Sequence, residues 1–140
     1  MKRLSLILMV LTGLRVFSYA QGNSNGPVIT FDKDVHNYGT LTTDKIPSGE
    51  ITFKVYNRGE QPLVLTNVRA CCGTQVKDYT KGPIASRDSG YVVVEFRILQ
   101  RPHRISRTVT IQSNATNRQT AVLRITGEIV EPEDNSLKLE

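Results

Sequence analysis

The segment Glu50–Asn57 constrains this chain more than any other. Ile51, Phe53 and Val55 alternate there with Thr52, Lys54 and Tyr56. Such period-two alternation marks a strand with one buried and one wet face. A helix would send Phe53 to the side opposite Ile51 and Val55, and no apolar stripe would form. The pattern returns at Gly90–Leu99, where Val92, Val94, Phe96 and Ile98 oppose Tyr91, Val93, Glu95 and Arg97. Composition agrees. Fourteen Val, fourteen Thr and ten Ile stand against five Ala, and β-branched side chains suit a pleated surface while losing χ1 freedom in a helix.

Further strands are expected at Val28–Phe31, Val35–Leu41, Pro62–Ala70, Ile105–Ser113 and Gln119–Val130, with Gly39 marking a bend or bulge in the second. Turns rich in Gly, Pro and Asn separate them at Thr42–Gly49, Asn57–Glu60, Gln100–Arg104 and Asn114–Arg118. The stretch Cys71–Asp88 is less regular, with Gly73, Gly82 and Pro83 as breakers. No amphipathic helix interrupts the series. The expectation is an all-β sandwich of about seven to nine short strands over residues 28–131.

The N-terminus reads as an address. Met1-Lys2-Arg3 precedes an apolar run from Leu4 to Leu14, and Ser18 and Ala20 stand three and one residues before a cleavage point. This is the layout of a secretory signal peptide at 1–20, too short for a permanent span, so no transmembrane segment is expected after cleavage. Residues 21–27 then form a flexible polar lead-in and 132–140 a flexible acidic tail. Loss of 1–20 removes Lys2, Arg3 and Arg15 from a formal net charge of +5. The remainder, about +2, gives little attraction to nucleic acid.

Chemistry-bearing residues are few. Cys71 and Cys72 are adjacent, and His36 and His103 are the only imidazoles. Four such ligands in this spacing do not make a Cys/His zinc site, and no cofactor is implied. Adjacent thiols can close a strained vicinal disulfide, hold a soft metal or bond to a partner; alternatively one packs inward and the other is incidental. If strand alternation continues through the pair, the two face opposite ways, with Cys72 inward and Cys71 towards solvent or a partner. No nucleophile–base pattern is present, so no catalytic residue is assigned. Arg97, Arg101, Arg104 and Arg107, with His103 and Lys54 as additions, form a basic cluster that either binds an acidic partner, an anionic glycan or lipid headgroups, or protects a sheet edge.

Four stretches in order resemble a bacterial family. They are Phe31-Asp32 through Tyr38-Gly39-Thr40; Phe53 through Asn57-Arg58-Gly59 to Leu65; Asn67 through Cys71-Cys72-Gly73-Thr74 with Lys81-Gly82-Pro83-Ile84; and Ser89-Gly90 with Arg101-Pro102 and Thr108 to Ala115. Together they are similar to the bacterial domain of unknown function fifteen-seventy-three, related to immunoglobulin-like modules of the major-sperm-protein and Hydin type. The resemblance implies an exported immunoglobulin-like sandwich without an established activity. In that family a Ser-Cys-Gly-Cys-Thr segment often follows the third strand. Here Cys72-Gly73 matches its first half, while Thr74 replaces the second Cys.

The functional expectation is a non-enzymatic interaction module in the periplasm or on the cell surface. It would bind a protein partner through an edge strand, with Val28–Phe31 a candidate, or through the loop Cys71, Cys72, Gly73, with Arg101, His103 and Arg104 as further contacts. The alternatives are a carbohydrate-binding module using Tyr38, Tyr56, Tyr79 or Tyr91, and a thiol- or metal-handling protein using Cys71 and Cys72.

Overall fold

The apolar phase read from Glu50–Asn57 is the phase of the core: Ile51, Phe53 and Val55 are buried, while Thr52 and Lys54 face solvent. The computed structural model describes residues 25–134. The signal peptide expected at 1–20, residues 21–24 and the tail from 135 lie outside the described residues.

The described residues hold eight strands: β1 (Ile29–Phe31), β2 (Val35–Thr42), β3 (Glu50–Asn57), β4 (Leu65–Ala70), β5 (Thr74–Tyr79), β6 (Ser89–Phe96), β7 (His103–Ser113) and β8 (Thr120–Val130). They form two four-stranded sheets, ordered β1-β3-β6-β5 and β2-β8-β7-β4. All neighbours are antiparallel except β2 with β8. This is the expected immunoglobulin-like sandwich, with the first strand region divided between the sheets. The inner faces supply the core. Phe53, Val55, Val92 and Val94 from one sheet meet Val109, Ile111, Leu123 and Ile125 from the other, each at most 1% exposed. Burial of such side chains contributes about 1.5–3 kcal/mol each.

Gly39 sits where expected. Its φ is +69°, and the register between β2 and β8 shifts between Asn37 and Thr40. β5 was not legible as a strand. A register shift between Val76 and Asp78 breaks its alternation against β6, so the period-two signal is lost over only six residues.

Three asparagines in turns brace the strands. Asn57, fully buried, donates through Nδ2 to the carbonyls of Gln61 at 2.7 Å and Ile84 at 3.0 Å. Its Oδ1 accepts from Gly59 N–H at 2.9 Å and Val28 N–H at 3.3 Å. Asn114 joins the β7–β8 turn to the approach to β4, accepting from Val64 N–H and donating to the Pro62 carbonyl. Asn117 takes both outward backbone groups of Ile29. The edge at Val28–Phe31, expected as a docking strand, is therefore closed at its centre by a side chain. Asn25 to Pro27, the described part of the expected lead-in, are held as well. Pro27 accepts from Thr116 N–H at 2.8 Å and Asn25 is hydrogen-bonded to Glu60.

Candidate functional site at the crossing turn and the edge of β7

β4 ends at Ala70 opposite Val109, and β5 begins at Thr74 opposite Phe96 in the other sheet. Cys71, Cys72 and Gly73 thus carry the chain from one sheet to the other. The turn is tight. Thr74 N–H donates to the Cys71 carbonyl at 3.0 Å, and the two central residues have positive φ, +54° at Cys72 and +73° at Gly73. This is a type I′ turn. Glycine suits its second central position, whereas Cys72 occupies a region that a side chain makes costly.

The expectation for the thiols is reversed here. Alternation would place Cys72 inward and Cys71 in solvent; instead Cys71 is half-buried and Cys72 exposed. The reason is that the strand stops before the pair. Cys71 N–H still donates to the Thr108 carbonyl at 3.0 Å, but its own carbonyl is committed to the turn. Cys71 Sγ takes over as acceptor, receiving Thr108 N–H at 3.3 Å. Cys72 is then rotated out of the ladder. Thr108 hydrogen bonding, aided by a contact from the Cys72 thiol and the nearby Arg107 charge, holds the Cys71 thiol below its ordinary value against the opposing effect of burial. The contact with Cys71 pushes the Cys72 thiol up.

Arg107 does not join the basic cluster. It falls in the inward phase of β7, with Ile105 and Val109, and its guanidinium lies 5.7 Å over the Phe96 ring. Among the described residues its buried Nε has no hydrogen-bond partner, and neither has Thr74 Oγ1. Arg97, Arg101 and Arg104 are exposed. His103 is not in a solvated turn but opens β7, opposite Ile129, with Nδ1 at 2.7 Å from the Arg101 carbonyl.

The two groups of candidate residues are not one pocket. Four positions of β7 separate Arg104 from Thr108, the partner of Cys71, or about 14 Å at the rise of a strand. They bracket a common feature. β7 spans eleven residues, whereas β4 pairs only with Val109–Ser113 and Cys71 adds Thr108. Thr108 directs its N–H and C=O towards β4, and Ser113 directs its N–H to the β8 side. By alternation, Ser106 and Arg104 point their backbone groups to the side that β4 has left. Among the described residues, neither has a backbone partner there. An open trough of about 440 Å³ adjoins this stretch, lined by Arg104, Ser106, Thr126, Glu128, Asn37 and Thr40 among others. The open edge was not foreseen, because it depends on where a neighbouring strand departs.

Among the described residues no three His, Cys, Asp or Glu side chains converge on a metal-sized space. His36 stacks edge-on against Tyr38 and is not bonded to either thiol. No helix in this part is long and apolar enough to cross a membrane.

The model of a family described as "Protein of unknown function (DUF1573)" matches residues 29–129. Among solved structures, the chain is similar to a protein of unknown function from Porphyromonas gingivalis W83. The TM-score is 0.60 at 14% identity, covering 73% of this chain and 46% of that one. It is also similar to the secreted serine protease VesC from Vibrio cholerae, with a TM-score of 0.53 at 12% identity, covering 78% of this chain and 24% of that one. The ASH/PapD-like domain 7 of human CEP192 gives a TM-score of 0.51 at 11% identity, covering 78% and 89%. The chain spans under half of the first protein and about a quarter of the second. At these identities the likeness is one of fold. No curated protein matches the sequence.

Proposed function

The chain belongs to the DUF1573 family, and from that premise we propose that it is an exported, non-enzymatic immunoglobulin-like module that binds a protein partner in the bacterial envelope. The partner contributes an extended acidic segment, which lies along the open edge of β7. One observation carries this reading: β4 leaves the sheet at Cys71, and among the described residues Ser106 and Arg104 have no backbone partner facing the gap. A segment of four or five residues continuing the line of β4 would satisfy them, the general mode of strand addition. Exposed Arg101 and Arg104, with Arg97 nearby in sequence, favour an acidic occupant. The aromatic residues give the carbohydrate reading less support. Tyr38 and Tyr79 pack against the core, Arg58 covers Tyr56 at 5.0 Å, and the Tyr91 hydroxyl is tied to Asp78.

The test is a photocrosslinking residue at Arg101 in the native host. The adduct should map to an acidic extended stretch of one envelope protein. Ser106→Pro should abolish it while preserving the fold, since among the described residues the Ser106 N–H has no backbone partner. Arg104→Glu should weaken it at least about tenfold. Undiminished crosslinking in the double variant would overturn the proposal.

A further inference from the structure

Strand addition along β7 makes no use of the chemistry at the crossing turn. There two thiols lie side by side, Cys71 held by Thr108 and Cys72 in contact with both Cys71 and Arg107. Cys71 Sγ receives the Thr108 N–H at 3.3 Å, and the Arg107 guanidinium, whose Nε has no hydrogen-bond partner among the described residues, contributes positive charge nearby. Donors and positive charge at a sulfur favour its thiolate. Cys72 is exposed and its thiol contacts the same sulfur, so a proton held on Cys72 faces the charge on Cys71. Because Cys72 sits on a turn with φ of +54°, the opposed orientation that an extended strand would impose on neighbouring side chains does not apply.

We propose that Cys71 and Cys72 form a dithiol site that exchanges with disulfides, Cys71 being the attacking thiol and Cys72 the resolving one. In the first step the Cys71 sulfur bonds to one sulfur of an incoming disulfide. The incoming S–S bond breaks, and its other sulfur leaves as a thiolate that takes up a proton. In the second step Cys72 gives up its proton and bonds to the Cys71 sulfur. The remaining half of the substrate leaves as a thiol. The two cysteines have lost two electrons and the incoming disulfide has gained two. A bridge between adjacent residues strains the peptide between them, and strained disulfides are the more easily reduced ones. The shared chemistry is a disulfide, whether carried by a protein or by a small thiol.

The experiment uses the reduced, purified chain and two oxidants in separate arms, oxidised glutathione and insulin, each in large excess so that mass action offsets the strain of the adjacent bridge. Intact mass and peptide mapping follow the products. The expected product is a chain short of two hydrogens with a Cys71–Cys72 bridge. Reaction with glutathione alone assigns a small-molecule substrate, and reaction with insulin alone a protein one. Cys72→Ser should react at a similar rate and stop as a mixed disulfide at Cys71. Cys71→Ser should react at least about tenfold more slowly. Far-UV circular dichroism checks that each variant is folded. The proposal is overturned if neither oxidant reacts, if mixed disulfides gather first at Cys72, or if the unaltered chain stops without forming the bridge.

Discussion

The Asn117 carboxamide closes on both outward backbone groups of Ile29: Oδ1 accepts its N–H at 3.0 Å and Nδ2 donates to its carbonyl at 2.9 Å. A side chain from the β7–β8 turn thus acts as a one-residue neighbouring strand for β1. Edge strands invite pairing with other chains, and covering the edge is one way to prevent it. The same sandwich closes one edge with an asparagine and leaves another open on β7.

Asn117→Ala should uncover that edge. Both groups of Ile29 would lose their partner, at a cost of about 1–3 kcal/mol. The expected result is a lower urea midpoint with an unchanged slope. Unchanged stability would mean that water replaces the carboxamide without loss.

Asn57 makes a stronger case. All four hydrogen bonds of its side chain are to backbone, and the residue is fully buried. Asn57→Asp keeps the shape but turns an acceptor towards the carbonyls of Gln61 and Ile84. It should destabilise by about 3 kcal/mol or more, and more at neutral pH than in acid where the carboxyl is protonated. A pH series of denaturation curves measures both effects.

Phe53→Ala should cost about 3–5 kcal/mol, since the ring is fully buried between the sheets. Lys54→Ala, one residue away on the wet face, should stay within about 0.5 kcal/mol. Similar urea midpoints for the two would contradict the observed strand phase.

Alkylation should separate the thiols by pH. The reactive form is the thiolate. Cys71, held down by Thr108 hydrogen bonding, should begin to react at a lower pH than an ordinary thiol, and Cys72, held up by its contact with Cys71, at a higher one. Iodoacetamide labelling near neutral pH should favour Cys71 despite the greater exposure of Cys72. Arg107→Gln should move both profiles upwards, because a positive charge that favours either thiolate is gone. Coincident profiles for the two cysteines would refute this assignment.

Local pattern alone determined the class of the fold, because alternation is written in adjacent residues. Ile51, Phe53 and Val55, then Val92, Val94, Phe96 and Ile98, are all core residues in the phase that their order demands. The Gly39 irregularity was legible for the same reason, as glycine is the residue that reaches its φ most cheaply. The unusual Cys71-Cys72 pair also stood out in the bare sequence. Its orientation did not, because alternation holds only while a strand continues, and the strand ends at Ala70. Tertiary structure decided the rest. Asn57, Asn114 and Asn117 look like turn punctuation, yet their partners at Ile84, Val64 and Ile29 are distant in the chain. Arg107 joined Arg104 in a charge count, but β7 faces them opposite ways and lays Arg107 over Phe96. The open stretch of β7 exists because β4 crosses to the other sheet after reaching Thr108, five residues short of the start of β7, a difference in length between strands paired across more than thirty residues of chain. Sequence records the propensity of each segment, whereas a vacant hydrogen-bonding edge is a property of neighbours, and only folding brings neighbours together.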